Sequence, residues 1–298
     1  MNDTKSKAFL GLRPLAYSQG PWPICKICGT RTQLFDAVDF YKHCCDPPDT
    51  PYRFGLSGII VPYFRCDTCR FLFTDLIDDW GPVELAEFIY NADYLKVDPE
   101  YVDVRPRRNA THLAPALSFC MDARILDYGS GSGAFAAAMT AHSFKRVESY
   151  EPFTSPTKPN GTFDMITCFE VLEHAARPVD TLLEIAGWLS AGGIILIGQT
   201  LQPENIEDIA GRWWYLAPRN GHVSLFTHET FMALAERTQL QYRGGSGVYA
   251  FIRPPTSELT EKVLKLVRSG MLPEIRRRFA RATWHHRIRW LRRRLNAG

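Results

Sequence analysis

A glycine-rich turn is the chain's first candidate for ligand chemistry. Its glycines stand at alternate positions, Gly129, Gly131 and Gly133. An apolar run ending in Asp127 precedes them and the helix-forming run 134–139 follows, which predicts a strand, a tight turn and a helix. Glycine leaves no Cβ between backbone and ligand, and the start of the helix presents free N–H groups. The next apolar segment ends in Glu151, where an acid can hold the ribose hydroxyls of a nucleotide.

Two C-x-x-C pairs near the start of the chain predict a metal site. Their cysteines are Cys25, Cys28, Cys66 and Cys69. Two residues between cysteines let both thiolates of a tight turn face one ion, and two such turns give a closed tetrahedral site, the usual form of structural zinc. Free thiols or a redox pair are the alternative, and His43, Cys44 or Cys45 could replace a ligand. A closed site assigns the ion to folding rather than to chemistry.

A second group of polar residues follows an apolar run over 163–169. Its members are Glu170, Glu173 and His174. Ligands of parallel sheets bind beyond the carboxyl ends of the strands, so these residues are candidates for the same crevice as the glycine turn. Farther along, Ala191-Gly-Gly193 separates a predicted helix from the strand-like run 194–198.

Together these features resemble class I S-adenosylmethionine-dependent methyltransferases, over roughly residues 120–253. The resemblance implies an α/β fold with a doubly wound, mostly parallel sheet, and S-adenosyl-L-methionine as cofactor. It assigns the three glycines to the amino-acid portion of the cofactor and Glu151 to the ribose. It places Asp127 at the loop or the cofactor's ammonium, Phe153 over the adenine face unless it only packs, and Glu170 beside the methyl donor.

Two histidines are the candidates for catalysis. His222 lies in the segment 211–226, which resembles the acceptor-side lid of family members with a similar G-H segment. An imidazole titrates near neutral pH, so His222 is the first candidate for a base or acceptor-orienting residue. His174 either lies beside the methyl donor or fixes the start of the following helix. Three neighbouring aromatic residues either stack on a sugar or aromatic ring or pack in the core, namely Trp213, Trp214 and Tyr215.

The patterning divides the chain of 298 residues into four predicted parts. These are a zinc-binding module over 1–80, a helical bridge over 81–120, the cofactor-binding domain over 121–256 and a basic helical tail over 257–298. Alternating strand and helix patterns from 124 to 253 predict the parallel sheet, whose edge a hairpin of 241–243 and 248–253 closes. Ahead of it, strand-like segments at 58–61 and 63–65 and a helix over 83–94 are predicted. The eleven residues 152–162 contain three prolines and are too few for a helix plus a strand, so one edge element of the sheet is expected to be missing.

Charge is distributed unevenly along the chain. Residues 262–298 carry a net charge of +11, which leaves −8 for the rest. Trp284, Ile288, Leu291 and Leu295 form one apolar face of a C-terminal helix whose other faces carry arginines. Such a helix docks on an anionic membrane surface or a protein, binds nucleic acid, or packs on its own domain. The N-terminus lacks a secretory pattern, so a cytoplasmic protein, peripheral at the membrane if the tail docks there, is expected.

The sequence therefore predicts methyl transfer to a small-molecule acceptor, a sugar, polysaccharide precursor or quinone-like compound, at carbon or oxygen. The combination of cysteine module and methyltransferase domain is similar to that of zinc-binding sugar C-methyltransferases. Two alternatives stay open. One is an RNA methyltransferase that holds RNA through the cysteine module and basic tail. The other is a non-catalytic scaffold that retains the fold.

Overall fold

A computed structural model of the protein describes residues 22–46, 50–155, 157–245 and 247–270. The described residues divide into two compact units, each of which is assembled from separate stretches of the chain. The cysteine unit consists of the described residues within Met1–Pro99, Leu172–Thr181 and Thr200–Arg237. The sheet unit consists of the described residues within Glu100–Val171, Leu182–Gln199 and Thr238–Gly298. The domain boundaries expected from the sequence stay predictions.

The strands and helices follow in chain order. The strands are β1 (Thr32–Asp39), β2 (Ile60–Cys66), β3 (Leu72–Phe73), β4 (Arg124–Tyr128), β5 (Arg146–Tyr150), β6 (Phe163–Phe169), β7 (Leu189–Gly198), β8 (Ser224–Leu225), β9 (Gln241–Arg243) and β10 (Val248–Ile252). The α-helices are α1 (Pro82–Phe88), α2 (Tyr94–Val97), α3 (Val104–Ala116), α4 (Ala134–Ala141), α5 (Pro178–Gly187), α6 (Ile206–Ile209), α7 (His228–Thr238) and α8 (Glu258–Ser269). Short 3₁₀ turns occupy Ser118–Cys120, Leu172–His174, Ala210–Arg212 and Pro218–Asn220.

The sheet unit is built on a six-stranded sheet of order β5-β4-β6-β7-β10-β9. The first four strands are parallel, and β10 pairs antiparallel with both β7 and β9. The run Ile194–Gly198 of β7 is wholly buried, as expected for a parallel strand covered on both faces. The predicted α/β fold with a mostly parallel sheet is confirmed, as is the hairpin of β9 and β10.

The sheet ends at β5, whose residues are mostly exposed. Among the described residues between Glu151 and Thr162, none belongs to a helix or a strand. This agrees with the expected loss of an edge element, because three prolines in so short an interval oppose both kinds of backbone hydrogen bonding.

Aliphatic side chains from one face of the sheet form the core of this unit. Ile194 and Leu196 of β7 pack with residues of α3, α4 and α8, including Leu113, Met139 and Val263. Ser257 caps the N-terminus of α8, and its hydroxyl accepts from the N–H of Thr260. Apolar side chains thus join this face of the sheet to α3, α4 and α8, and the polar candidate residues lie at its carboxyl edge.

The cysteine unit contains a four-stranded antiparallel sheet of order β1-β2-β3-β8. The sequence patterns predicted two strand-like segments over 58–65, and the structure has the single strand β2 there. The helix expected over 83–94 is divided into α1 and α2. Stacked rings of Phe71 and Phe73 lie in the core of this unit.

The C-terminal basic helix expected around 284–295 lies outside the described residues. Within the described ranges, no helix combines the length and the apolar character that crossing a membrane requires.

Candidate active site and cysteine cluster

The glycine turn joins β4 to α4 as the sequence predicted. All three of its glycines have positive φ, namely Gly129 (72°), Gly131 (52°) and Gly133 (76°). A Cβ on Gly129 would lie 2.4 Å from a methyl carbon of Val171, so this position excludes any side chain. A Cβ on Gly131 would meet nothing within 4 Å, so glycine is required here only for its left-handed backbone conformation. The turn therefore presents bare backbone, the kind of surface that a cofactor can approach closely.

Glu151 is tied to this turn. Its Oε2 atom accepts from the N–H of Gly131 at 2.9 Å, and the carbonyl of Tyr150 accepts from the N–H of Gly129 at 2.8 Å. The carboxylate thus lies beside the glycines, as its predicted role at the ribose requires. Phe153, two residues farther on, is 51% exposed, so about half of its surface faces solvent.

Asp127 is buried beneath the turn. Its Oδ1 atom accepts from the hydroxyl of Thr167 at 3.0 Å, whereas Oδ2 is buried without a hydrogen-bond partner among the described residues. Burial, to which the negative charge of Glu151 adds, raises the pKa of Asp127 to about 7, although the Thr167 hydroxyl opposes this. A buried acceptor atom with no partner is costly, and a cationic or N–H-bearing ligand would satisfy it.

Glu170 follows β6 directly and has a φ of 55°. Its N–H donates to the carbonyl of Gly198 at 2.8 Å, which fixes the first residue after β6 to the end of β7. Its Oε2 atom lies 3.9 Å from a guanidinium nitrogen of Arg105. The structure thus gathers the predicted cofactor residues of the sheet unit along one edge of the sheet, at the carboxyl ends of β4, β5 and β6.

The two candidate histidines lie together in the cysteine unit. The ring centroids of His174 and His222 are 5.1 Å apart. With Glu173 they form a group whose nitrogen and oxygen ligand atoms all lie within 4.8 Å of one another. Glu173 is fully buried, and one of its oxygens accepts from the hydroxyl of Tyr215 at 2.5 Å.

Backbone carbonyls define the tautomer of both rings. Nδ1 of His222 lies 2.9 Å from the carbonyl of Tyr215, and Nδ1 of His174 lies 3.2 Å from that of Gly221. A carbonyl only accepts, so Nδ1 carries the proton in each neutral ring and Nε2 keeps its lone pair. Tyr63 also donates to the carbonyl of His222 at 2.7 Å. The arrangement suits an imidazole that takes up a proton at Nε2.

The aromatic segment before His222 is partly core. Trp213 and Tyr215 are buried and their ring centroids lie 5.7 Å apart. The Tyr215 ring is also only 4.2 Å from that of His222. The sequence left open whether these aromatic residues stack on a ligand or pack in the core. Trp213 and Tyr215 pack in the core, and Trp214 is half-buried.

The four predicted zinc cysteines form a cluster in the cysteine unit. Their sulfur atoms all lie within 4.8 Å of one another. Cys25 and Cys69 have sulfurs 3.6 Å apart, and those of Cys28 and Cys66 are 3.4 Å apart. These spacings exceed the ~2.05 Å of a disulfide and approach the edge of a tetrahedron with Zn–S bonds of ~2.3 Å. The thiol chemistry and the spacing therefore both fit a zinc ion.

The three alternative ligands lie elsewhere. Nε2 of His43 is 3.1 Å from a carboxylate oxygen of Asp46, and burial lowers the pKa of this imidazole to about 4. The sulfur of Cys44 lies 3.7 Å from Nδ1 of His222, and that of Cys45 donates to the carbonyl of Val97. The cluster is thus a four-cysteine set.

Sequence reasoning missed two residues that support these sites. The hydroxyl of Thr167 donates to Asp127, and that of Tyr63 donates to the backbone carbonyl of His222. Thr167 had a signal, since it is a polar residue inside the apolar run of β6. Tyr63 had none, because its partner lies 159 positions away along the chain.

Comparison with known proteins agrees with this geometry. Residues 100–243, just under half of the chain, match a protein family described as a methyltransferase domain. No curated protein matches the sequence. The match and the glycine turn with its two acids support a class I S-adenosylmethionine-dependent methyltransferase.

Two of the solved structures to which the chain is similar are methyltransferases of low sequence identity. The mitomycin 7-O-methyltransferase MmcR is 15% identical with a TM-score of 0.43, over 60% of this chain and 61% of that one. Magnesium protoporphyrin IX methyltransferase from Synechocystis, solved with bound SAH, is 9% identical with a TM-score of 0.42, over 58% of this chain and 100% of that one. The chain thus spans about three fifths of the MmcR structure. With TM-scores below 0.5, no conclusion about function rests on these likenesses.

Proposed function

We propose that the protein transfers a methyl group from S-adenosylmethionine to an oxygen or carbon atom of a small-molecule acceptor such as a sugar, a polysaccharide precursor or a quinone-like compound. The single observation that carries the proposal is the bond from the N–H of Gly131 to Glu151, which joins the glycine turn to the acid after the next strand. This pairing suits a ligand with a ribose at one end and an amino-acid group at the other.

The residues present fit this cofactor. Glu151 would hold the ribose, the backbone of the glycine turn would approach the amino-acid portion, and Oδ2 of Asp127 would receive the ammonium. Glu170 lies at the end of β6, the strand next to β4, and would lie beside the methyl donor. As a sulfonium, the bound cofactor supplies a methyl group that is already activated for transfer.

The chain's own contribution to the reaction is to orient the acceptor and remove its proton. In His222 the basic atom is Nε2, because Nδ1 donates to the Tyr215 carbonyl. In the sequence, Glu173 and His174 follow Glu170 by three and four residues. We propose that Nε2 of His222 accepts the proton that the acceptor atom loses as it gains the methyl group.

The four-cysteine cluster is proposed to hold a structural zinc ion. With four thiolates the coordination sphere is complete, so the ion stabilises the turns at Cys25–Cys28 and Cys66–Cys69 and binds no substrate. The convergence of all four sulfurs within 4.8 Å of one another supports this assignment over a redox pair, since a redox site needs only the two sulfurs of one C-x-x-C.

Calorimetry with S-adenosylhomocysteine tests the donor site. We expect binding by the wild type and at least a tenfold weaker affinity for Glu151→Ala, since hydrogen bonds to a charged group contribute about 1.5–3 kcal/mol. Glu148→Ala, which removes a more exposed acid of β5, is the matched control and should bind normally. No heat from the wild type would leave only the scaffold reading.

Labelled donor then identifies the acceptor class. Sugar nucleotides, quinols and RNA are offered in parallel, and label is expected in one of the small molecules. Label in RNA, with binding that weakens steeply as salt rises, would replace this proposal with the RNA methyltransferase.

A further inference from the structure

Gln199 is the first residue after β7. It is 6% exposed, and both its amide oxygen and its amide nitrogen are buried. Within the described part of the chain, neither atom has a hydrogen-bond partner. A buried primary amide with both of its functions unpaired is unusual, because buried polar side chains are nearly always hydrogen-bonded.

This arrangement costs stability in the ligand-free protein. Each buried donor or acceptor left unpaired costs about 1–3 kcal/mol, whereas an apolar side chain of the same shape would cost nothing of this kind. The neighbouring buried hydroxyl of Thr167 is paired with Asp127, so polar groups in this sheet do find partners. The unpaired amide therefore has a hydrogen-bond donor and an acceptor that a ligand can use.

The position of Gln199 at the edge of the sheet indicates which of the two reactants its amide would contact. The preceding residue, Gly198, accepts from the N–H of Glu170, so Gln199 lies at the carboxyl edge beside the end of β6. Glu151 follows β5, which stands three places away in the strand order, or roughly 14 Å at ~4.8 Å per strand. The two residues flank the glycine turn after β4. If Glu151 holds the ribose, Gln199 lies on the opposite side of the glycine turn, where the methyl acceptor would bind.

We propose that the side-chain amide of Gln199 orients the acceptor by one donated and one accepted hydrogen bond, and that the acceptor is an uncharged compound with adjacent hydroxyl groups or an adjacent hydroxyl and carbonyl. This inference rests on the proposed function and narrows its acceptor class. An amide carries no charge and offers one donor group and one acceptor group side by side, which matches a vicinal diol or a hydroxy ketone. A site built around such a pair discriminates strongly against analogues that lack one of the two groups.

The decisive variant is Gln199→Leu, which keeps the approximate size and removes both polar functions. Gln241→Leu, in the exposed position of β9, is the matched control. Because the variant removes an unpaired buried amide, its ligand-free Tm should equal that of the wild type or exceed it by about 2–4 °C. A fall in Tm would mean that the amide is already bonded within the protein, and it would overturn the proposal.

Ligand binding gives an independent readout. With S-adenosylhomocysteine bound, saturation-transfer NMR is recorded with catechol and, for comparison, with phenol, which lacks the adjacent hydroxyl. We expect a catechol signal larger than the phenol signal in the wild type and in Gln241→Leu, and at least a threefold loss of the catechol signal in Gln199→Leu. Equal catechol signals in all three proteins, or no catechol signal in the wild type, would overturn the role of Gln199.

The same proteins separate this inference from the proposed function. Affinity for S-adenosylhomocysteine should be unchanged in Gln199→Leu, since Gln199 lies away from Glu151. If the wild type binds no S-adenosylhomocysteine, the proposed function fails. If it binds S-adenosylhomocysteine but the catechol signal does not depend on Gln199, only the inference about Gln199 fails.

Discussion

The hydroxyl of Tyr215 donates to a carboxyl oxygen of Glu173 at 2.5 Å, and both side chains are buried. The backbone carbonyl of the same tyrosine accepts a hydrogen bond from Nδ1 of His222. Tyr215 therefore connects the buried acid to the candidate base through its two ends. Its side chain fixes the acid, and its main chain fixes the tautomer of the imidazole.

Replacing Tyr215 by Phe should destabilise the protein while leaving the tautomer of His222 intact. The ring is retained, but a buried oxygen of Glu173 loses its donor, so we expect the free energy of unfolding to fall by about 1–3 kcal/mol. Chemical denaturation measures this. Tyr52→Phe, at a half-buried tyrosine outside the cluster, should change stability by less than about 0.5 kcal/mol. Equal stabilities of the two variants would contradict the stabilising role of the Tyr215 hydroxyl.

His222→Ala should lower methyl transfer by about a hundredfold or more, because it removes the proposed base. Affinity for S-adenosylhomocysteine should stay within about twofold, since His222 belongs to no part of the glycine turn. Single-turnover assays with labelled donor, together with calorimetry, separate the two effects. His142→Ala, at an exposed histidine after α4, is the control. Unchanged transfer in His222→Ala would remove this residue from the mechanism.

Donor binding should depend on pH through Asp127. Burial raises its pKa to about 7 from the ordinary 3.8, so the ionised form is disfavoured in the folded protein. Its contribution to stability is therefore fully present below about pH 3.8 and is lost as the pH rises through about 7. A cationic ligand favours the ionised form, so affinity for S-adenosylhomocysteine should increase as the pH rises through the same range.

Calorimetry in two buffers of different ionisation enthalpy detects the proton that Asp127 releases on binding. Asp127→Asn should bind without this release and with weaker pH dependence. Identical proton release in the variant and the wild type would assign the effect to another group.

The cysteine cluster should contain one zinc ion per chain. Elemental analysis of the purified protein measures this, and Cys66→Ser should lose the metal and show a lower Tm, because four thiolates complete the coordination sphere. Cys120→Ser changes a buried cysteine of the sheet unit that lies outside the cluster, and it should retain the metal. A full zinc content in Cys66→Ser would exclude the proposed ligand set.

Local patterns predicted much of the fold. The glycine turn, the mostly parallel sheet, the closing hairpin and the shortened edge after Glu151 all follow from short-range rules, because glycine conformations, apolar runs and prolines act within a few residues. Helix ends were less predictable. The segment 83–94 forms two helices rather than one, since its aromatic spacing does not show where tertiary packing interrupts it.

The sequence by itself determined the residue types: paired cysteines with metal-binding spacing, three glycines at alternate positions after a strand-like run, and two candidate histidines, of which His174 follows two acids closely. Only the tertiary structure decided their partners. It joined Glu151 to Gly131, placed His174 beside His222 and gave both rings the same tautomer, and buried the amide of Gln199 without a partner. Hydrogen bonds and burial depend on atoms brought together from distant parts of the chain, and no local pattern records those distances.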